Sequence, residues 1–331
     1  MEAKGILYLS NEDVKKVLDF TRAIEITEQA LRDHSQGRVI WSTPEDLAIK
    51  PEQGWQSWVT GCALTNPPVA GFRMRSIKAA GGSRDPSRPA RGPRRILILS
   101  DREGGEICAI MDEDWCHAVR TAAAATVAMR LLARPGAATL AMLGAGDTAR
   151  AAVPVMAKAF KLKEIRVTSR TPESRERYAE EIGKQYGLNI RPVESTEEAL
   201  QDADLVISAT TTATPFVKDS WLGPGTTLYS IGKHQEVESS VYKSADKFIV
   251  DSWEHCKNKS DIKRMLKENY LSENDLYAQL PELLSGKKPS RQSNSERIFV
   301  RAIGLVNQDI AMADMIYRDA LEKGLGTRLP Y

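Results

Sequence analysis

With 331 residues, 42% of them apolar and 27% charged, the chain is longer than one core usually takes and has enough apolar side chains to pack two. Its 46 Lys and Arg against 44 Asp and Glu leave a net charge of +2, which excludes nucleic acid as the main partner, and no apolar run is long enough to cross a membrane. Four scattered cysteines (Cys62, Cys108, Cys116, Cys256) lack CxxC spacing, and the N-terminal residues lack a signal peptide's apolar core. Both point to free thiols in a cytoplasmic protein, and Cys116-His117, without a second ligand pair, implies no metal site.

Residues 11–34 predict one amphipathic helix, with Val14, Val17, Leu18, Ile24 and Ala30 among its apolar positions. Strand-like runs follow at 58–64, 69–77, 96–100 and 106–111. Thr65-Asn66-Pro67-Pro68 and Glu103-Gly104-Gly105 are turn signals between them. The pattern predicts an antiparallel or mixed sheet. Within it, residues 81–95 hold five arginines, three prolines and three glycines, which excludes a regular element. A solvated connecting loop is the plain reading, and a lid or an anion collector is the alternative.

A different pattern begins near residue 120. The apolar run 138–143 breaks into Gly144-Ala145-Gly146-Asp147-Thr148-Ala149, and residues 151–160 have helical composition. Gly144 permits a tight turn, Gly146 removes the side chain that would block a pyrophosphate, and Ala149 lets helix and strand approach. The free N–H groups of the helix N-terminus then face the anion. Gly144, Gly146, Asp147, Thr148 and Ala149 are therefore expected at a dinucleotide. The next strand, 164–170, should end at the adenosine ribose, where NAD selection usually places a carboxylate. This chain has Ser169, Arg170 and Thr171, with Arg175 a turn later. Guanidiniums and hydroxyls suit a 2′-phosphate, so NADP(H) is expected over NAD(H), unless both arginines are merely solvated.

Further strand-like runs at 204–210, 226–231, 247–250 and 297–303 alternate with helical segments such as 174–186 and 260–268. The fold class is therefore α/β, with a doubly wound parallel sheet over residues 120–304. Thr210, opening the Thr-rich loop 210–214, should line the nicotinamide ribose. The helical run 306–323 can return to the first domain, which would comprise residues 1–119 with 305–331 as an α+β unit.

Three blocks resemble the ornithine cyclodeaminase/μ-crystallin family. The first is Asp112-Glu113-Asp114-Trp115-Cys116-His117-Ala118-Val119-Arg120-Thr121-Ala122-Ala123-Ala124, followed by Leu131-Leu132-Ala133-Arg134-Pro135. The second is the Gly144-Ala145-Gly146 loop. The third is Leu283-Leu284-Ser285-Gly286-Lys287 with Ile303-Gly304-Leu305-Val306-Asn307-Gln308-Asp309-Ile310-Ala311-Met312-Ala313. The resemblance implies a Rossmann domain, a substrate-binding and dimerisation domain, a homodimer, and NAD(P)(H) chemistry on imines or amino acids.

It also implies residue roles. Arg120 would hold a substrate carboxylate, with a neighbouring acid such as Asp112 or Asp114 as its structural alternative. Thr121 would assist the cofactor or pack. Where the family has a lysine after a Gly-x pair, this chain has Arg73, which can bind an anion but cannot act as a general base. A second family arginine is replaced, since Pro44 is followed by Glu45 and Asp46; Arg75 or Lys78 would have to substitute, or the substrate carries an amine there. Ile231 would contact the cofactor. After the Ile231-Gly232 step His234 stands near the family aspartate position and would exchange the proton, with Lys233 and Glu236 as substitutes. Gln308 and Asp309 open the last helix, where Asp309 is expected mainly to complement the helix dipole. Together these point to an NADP(H)-dependent oxidoreductase that reduces an imine or interconverts an amino acid and its imino or oxo acid. The alternatives are a cyclodeaminase-like lyase and a non-enzymatic NADPH- and ligand-binding protein.

Overall fold

A computed structural model describes residues 5–50, 55–78, 95–232 and 234–330. Most of the arginine-rich loop (81–94), Lys233, and the side chains of Glu45 and Lys78 lie outside the described residues. The chain divides into two compact units, Met1–Arg120 with Val306–Tyr331, and Thr121–Leu305.

The first unit opens with strand β1 (Gly5–Leu9) and helices α1 (Asn11–Val17) and α2 (Phe20–Ser35). A single helix is expected here, but Leu18 is extended and the Asp19 side chain accepts the Arg22 N–H at 2.9 Å, capping a new helix. The apolar period hides the break because both helices bury the same kind of face, Val14 and Val17 in α1, Ala23 and Ile24 in α2. Strands β2 (Val39–Ile49), β3 (Trp55–Leu64), β4 (Val69–Lys78), β5 (Arg95–Asp101) and β6 (Ile107–Asp112) form an antiparallel meander. β2 has no clean alternation to betray it, because its register shifts between Trp41 and Asp46 and it exposes Ile40, Leu47 and Ile49. Helix α3 (Asp114–Leu132) follows, and the division between the units falls inside it.

The second unit alternates β7 (Thr139–Leu143), α4 (Asp147–Ala159), β8 (Glu164–Thr168), α5 (Pro172–Tyr186), β9 (Ile190–Pro192), α6 (Thr196–Leu200) and β10 (Leu205–Ser208). It continues through β11 (Thr227–Ser230), α7 (Val241–Ser244), β12 (Lys247–Val250), α8 (Trp253–Lys259), α9 (Asp261–Lys267), β13 (Ala278–Gln279), α10 (Leu280–Leu284) and β14 (Ile298–Arg301). Its eight strands run in the order β13-β12-β14-β11-β10-β7-β8-β9, and all pair in parallel. β10, β11, β12 and β14 are buried at every residue, as strands covered on both faces must be. The winding reverses between β7 and β10, which sets a switch point at their carboxyl ends.

Helix α11 (Val306–Glu322) and strand β15 (Thr327–Pro330) complete the first unit. α11 packs on α2, β3 and β4. The contact is close at Gly71, where a Cβ would sit 2.7 Å from Ile310 Cδ1. The sheet order is β15-β1-β6-β5-β4-β3-β2, with β1 parallel to β6 and antiparallel to β15.

Candidate functional site

At the switch point of the second unit, β7 ends in Leu143 and the chain turns through Gly144 with φ +114. A Cβ there would lie 2.6 Å from the Ala209 carbonyl oxygen, so only glycine fits. Gly146 differs: it caps α4 without a side-chain hydrogen bond, and a Cβ on it would meet nothing within 4 Å. The first N–H groups of α4 thus stand without a capping side chain beside open space, as an anion requires. Asp147 is exposed, Thr148 half-buried and Ala149 fully buried, its carbonyl accepting from the Tyr178 hydroxyl at 2.7 Å.

At the end of β8, Ser169 is half-buried and Arg170 exposed, and no carboxylate occupies the tip. Thr171 is committed elsewhere than expected: its hydroxyl caps α5, accepting from the Ser174 N–H at 3.4 Å and donating to Ser174 Oγ at 3.0 Å. Arg170 and Arg175 form no ion pair among the described residues, so a 2′-phosphate would rest on these two guanidiniums and Ser169.

Across the switch point, Glu236 is 1% exposed and saturated with donors. The Thr210 N–H and hydroxyl both donate to Oε1 at 2.7 Å; the Ser230 hydroxyl (2.7 Å) and Gly232 N–H (2.9 Å) donate to Oε2. Glu236 is therefore a fixture tying the ends of β10 and β11 together, not the substitute proton donor that its position suggests. His234 is exposed, four residues beyond the end of β11, and Ile231 is half-buried with its N–H on the Ser208 carbonyl. Thr121 is half-buried in α3.

The first unit holds a buried charge cluster. β4 supplies Arg73, the β6–α3 turn Glu113, α3 His117 and Arg120, and α11 Asp309. Both guanidiniums converge on Asp309: Arg120 Nε donates to Oδ1 at 2.6 Å and Arg73 Nη1 to Oδ2 at 3.2 Å. Arg73 Nε also donates to Glu113 Oε2 at 3.1 Å. Asp309 and Glu113 are fully buried. Burial alone would raise the Asp309 carboxyl, but Arg120 and Arg73 overcome it and hold the group well below the usual carboxylate range. Glu113 goes the other way. Burial pushes it well up, with Arg73 opposing and Asp309 reinforcing. Its Oε1, although 2.9 Å from Arg73 Nε, makes no hydrogen bond there.

The partner of Arg120 is thus Asp309 rather than Asp112 or Asp114; Asp114 pairs instead with Arg95 at 3.0 Å. Asp309 is correspondingly the shared counterion of two arginines, more than a dipole complement. Of the residues weighed as replacements for the second family arginine, Arg75 stacks its guanidinium 5.5 Å from the Trp58 ring centre, while Asp46 accepts from the Thr60 hydroxyl at 2.7 Å. The sequence assigns no role to Glu113 or His117, and for His117 its place one turn before Arg120 is the available signal. Glu113, His117 and Asp309 bring one ligand atom each within 4.8 Å of one another. Two guanidiniums already occupy Asp309 and the imidazole, so the positive charge a metal would bring is supplied by arginine.

An open glycine-lined helix N-terminus at the switch point of a parallel sheet, in a chain whose other unit buries a pair of carboxylate-matching guanidiniums, defines a dinucleotide-dependent oxidoreductase. The chain belongs to the ornithine cyclodeaminase/mu-crystallin family, whose model matches residues 7–324. It is 26% identical over 335 residues to a Delta(1)-pyrroline-2-carboxylate reductase of Bacillus cereus, covering 98% of this chain and 100% of that protein. It is 28% identical over 225 residues to the ketimine reductase mu-crystallin of Mus musculus, covering 67% of this chain and 68% of that one. Among solved structures, that of Thermococcus litoralis Delta(1)-pyrroline-2-carboxylate reductase in complex with NADH and L-proline superposes with a TM-score of 0.89 at 28% identity, covering 98% and 100% of the two chains.

Proposed function

We propose that this protein is an NADP(H)-dependent reductase of a small imino acid, working as a homodimer. The observation that carries the reading is the convergence of two buried guanidiniums, Arg73 and Arg120, on one carboxylate, a site built to offer fixed donors to a second carboxylate on the substrate. The names of the relatives support the substrate class, since Delta(1)-pyrroline-2-carboxylate and ketimines are both imines. A nicotinamide cofactor held at the 144–149 turn would supply the hydride for the imine carbon. Arg120, assisted by Arg73, orients the acid group, and His234 gives the proton to the imine nitrogen. Arg73 does not transfer a proton, because a guanidinium paired with Glu113 and Asp309 stays charged. The cofactor is read as NADP(H) from Arg170, Arg175 and Ser169, with no carboxylate at the tip of β8 to repel the phosphate.

The test is cofactor consumption, followed by absorbance, with cyclic ketimine carboxylates and with 2-oxo acids plus ammonia, using NADPH and NADH in parallel. Consumption of NADPH in preference to NADH with one imine class is the expected result. Tight NADPH binding without consumption, together with cyclised product from a diamino acid, would replace the reductase by a lyase that recycles its cofactor.

A further inference from the structure

His117 is unused in the reaction as derived, yet it is the member of the buried cluster that reaches solvent. Its side chain is 21% exposed, against 0% for Asp309 and Glu113, 4% for Arg120 and 8% for Arg73. Its Nδ1 lies 2.9 Å from Arg120 Nη2, 3.2 Å from Arg73 Nη2 and 3.5 Å from Asp309 Oδ1. A guanidinium has donors only, so both arginine contacts are hydrogen bonds only when Nδ1 presents a lone pair. The contact to Asp309 would need a proton on Nδ1. It is the longest of the three, at the outer limit of a hydrogen bond, and two charged donors outweigh it. The ring is thereby locked as the neutral tautomer with its proton on Nε2.

The surrounding charges agree. Burial first, then Arg120 and Arg73, drive the imidazolium well below its ordinary range, and Asp309 opposes them only in part. Glu113 from the β6–α3 turn, Arg73 from β4, Cys116 and Arg120 from α3, and Asp309 from α11 are the titratable groups of this cluster. The Cys116 thiol is itself pushed well up, by burial and then by Glu113 and Asp309, so it offers the ring no charge.

We propose that His117 is a specificity-determining hydrogen-bond donor whose Nε2–H, beside the guanidinium of Arg120, receives the carboxylate of a small monocarboxylic substrate and exchanges no proton. This deepens the imino-acid reading and rests on it for the substrate class. Arg120 and His117 stand one helical turn apart on α3, so one helix face presents a cation and a neutral donor together. The neutral ring adds a directional bond without adding charge.

The test compares His117→Leu with His117→Gln, whose amide can both accept from the arginines and donate outward. The readouts are KM and kcat for the imine substrate, the pH profile of kcat/KM, and calorimetric binding of L-proline to the NADPH- or NADP+-loaded protein. The loss of one hydrogen bond to a charged group should raise KM and weaken L-proline binding in His117→Leu by about 10- to 100-fold, with a smaller fall in kcat. His117→Gln should recover most of that loss and keep the pH profile of the parent. If Gln fares no better than Leu and a limb of the profile near neutrality disappears in both, His117 transfers a proton and the proposal is overturned. If Leu retains parental KM and L-proline affinity, His117 does not meet the substrate. A parent protein that reduces no imine but binds L-proline in a His117-dependent way would defeat the reductase reading and leave the donor standing.

Discussion

Asp309 is a single buried carboxylate that answers for two guanidiniums, so its removal is costlier than that of an ordinary ion-pair partner. Asp309→Asn should destabilise the protein by about 3–5 kcal/mol, the range for breaking one side of a buried pair, in denaturant unfolding followed by fluorescence. Glu113 titrates in the opposite sense. A carboxyl lowered in the folded state, such as Asp309, stabilises above its unfolded value near ~3.9 and loses that contribution as the pH falls towards the folded value. Glu113 is raised, so its contribution is complete below the unfolded value near ~4.3 and is lost as the pH climbs through the folded one. Glu113→Gln, which mimics the protonated acid, should match the parent at about pH 4 and gain on it steadily towards alkaline pH, read as the difference between their unfolding midpoints. At this scale the cations and Asp309 were each legible in the sequence, but their pairing was not, and Glu113 had no assigned role. Arg73 and Arg120 stand in recognisable motif positions, but Asp309 is 236 and 189 residues from them and no local period joins the three. Thr171 was misread for a simpler reason: a hydroxyl before Pro172 serves a helix cap as well as it serves a phosphate.

Between elements, the β7–α4 turn separates structural from functional need for glycine. Gly144→Ala forces a Cβ into the Ala209 carbonyl at φ +114 and should lower stability by several kcal/mol. Gly146→Ala enters open space at an ordinary φ of -85 and should change stability by no more than about 1 kcal/mol. On the proposed cofactor site its NADPH affinity should nevertheless collapse, because the methyl would stand in the open space assigned to the pyrophosphate. Thermal melts with and without NADPH distinguish the two variants. A Gly146→Ala protein that still gained the parental stabilisation from NADPH would place the cofactor elsewhere. The parallel strands were legible because burial on both faces leaves unbroken apolar runs such as Leu140 to Leu143. Strands β2 and β15 were not: one is irregular and half exposed, the other is four residues long and almost wholly exposed. The α1–α2 break was also hidden, since Asp19 caps within an otherwise continuous pattern.

The whole molecule is an insertion: residues 121–305 interrupt a unit whose remaining parts, 1–120 and 306–331, share one sheet through β1 and β15. The edge strand β2 of that sheet exposes Ile40, Leu47 and Ile49. An apolar edge of this kind is a liability in a monomer, and the homodimer expected from the sequence would cover it. Sedimentation should give twice the chain mass, and Leu47→Lys with Ile49→Lys should return it to one.

The insertion also imposes an order on synthesis. The second unit is contiguous and can fold as it emerges from the ribosome, whereas the first cannot close until α11 has been made. Arg73, Glu113 and Arg120 are therefore translated long before Asp309, and the nascent chain must keep two cations hydrated until their anion arrives. A chain ending just before residue 306 would hold every strand of the nucleotide fold beside an incomplete sheet, which makes that stage the natural client of a chaperone.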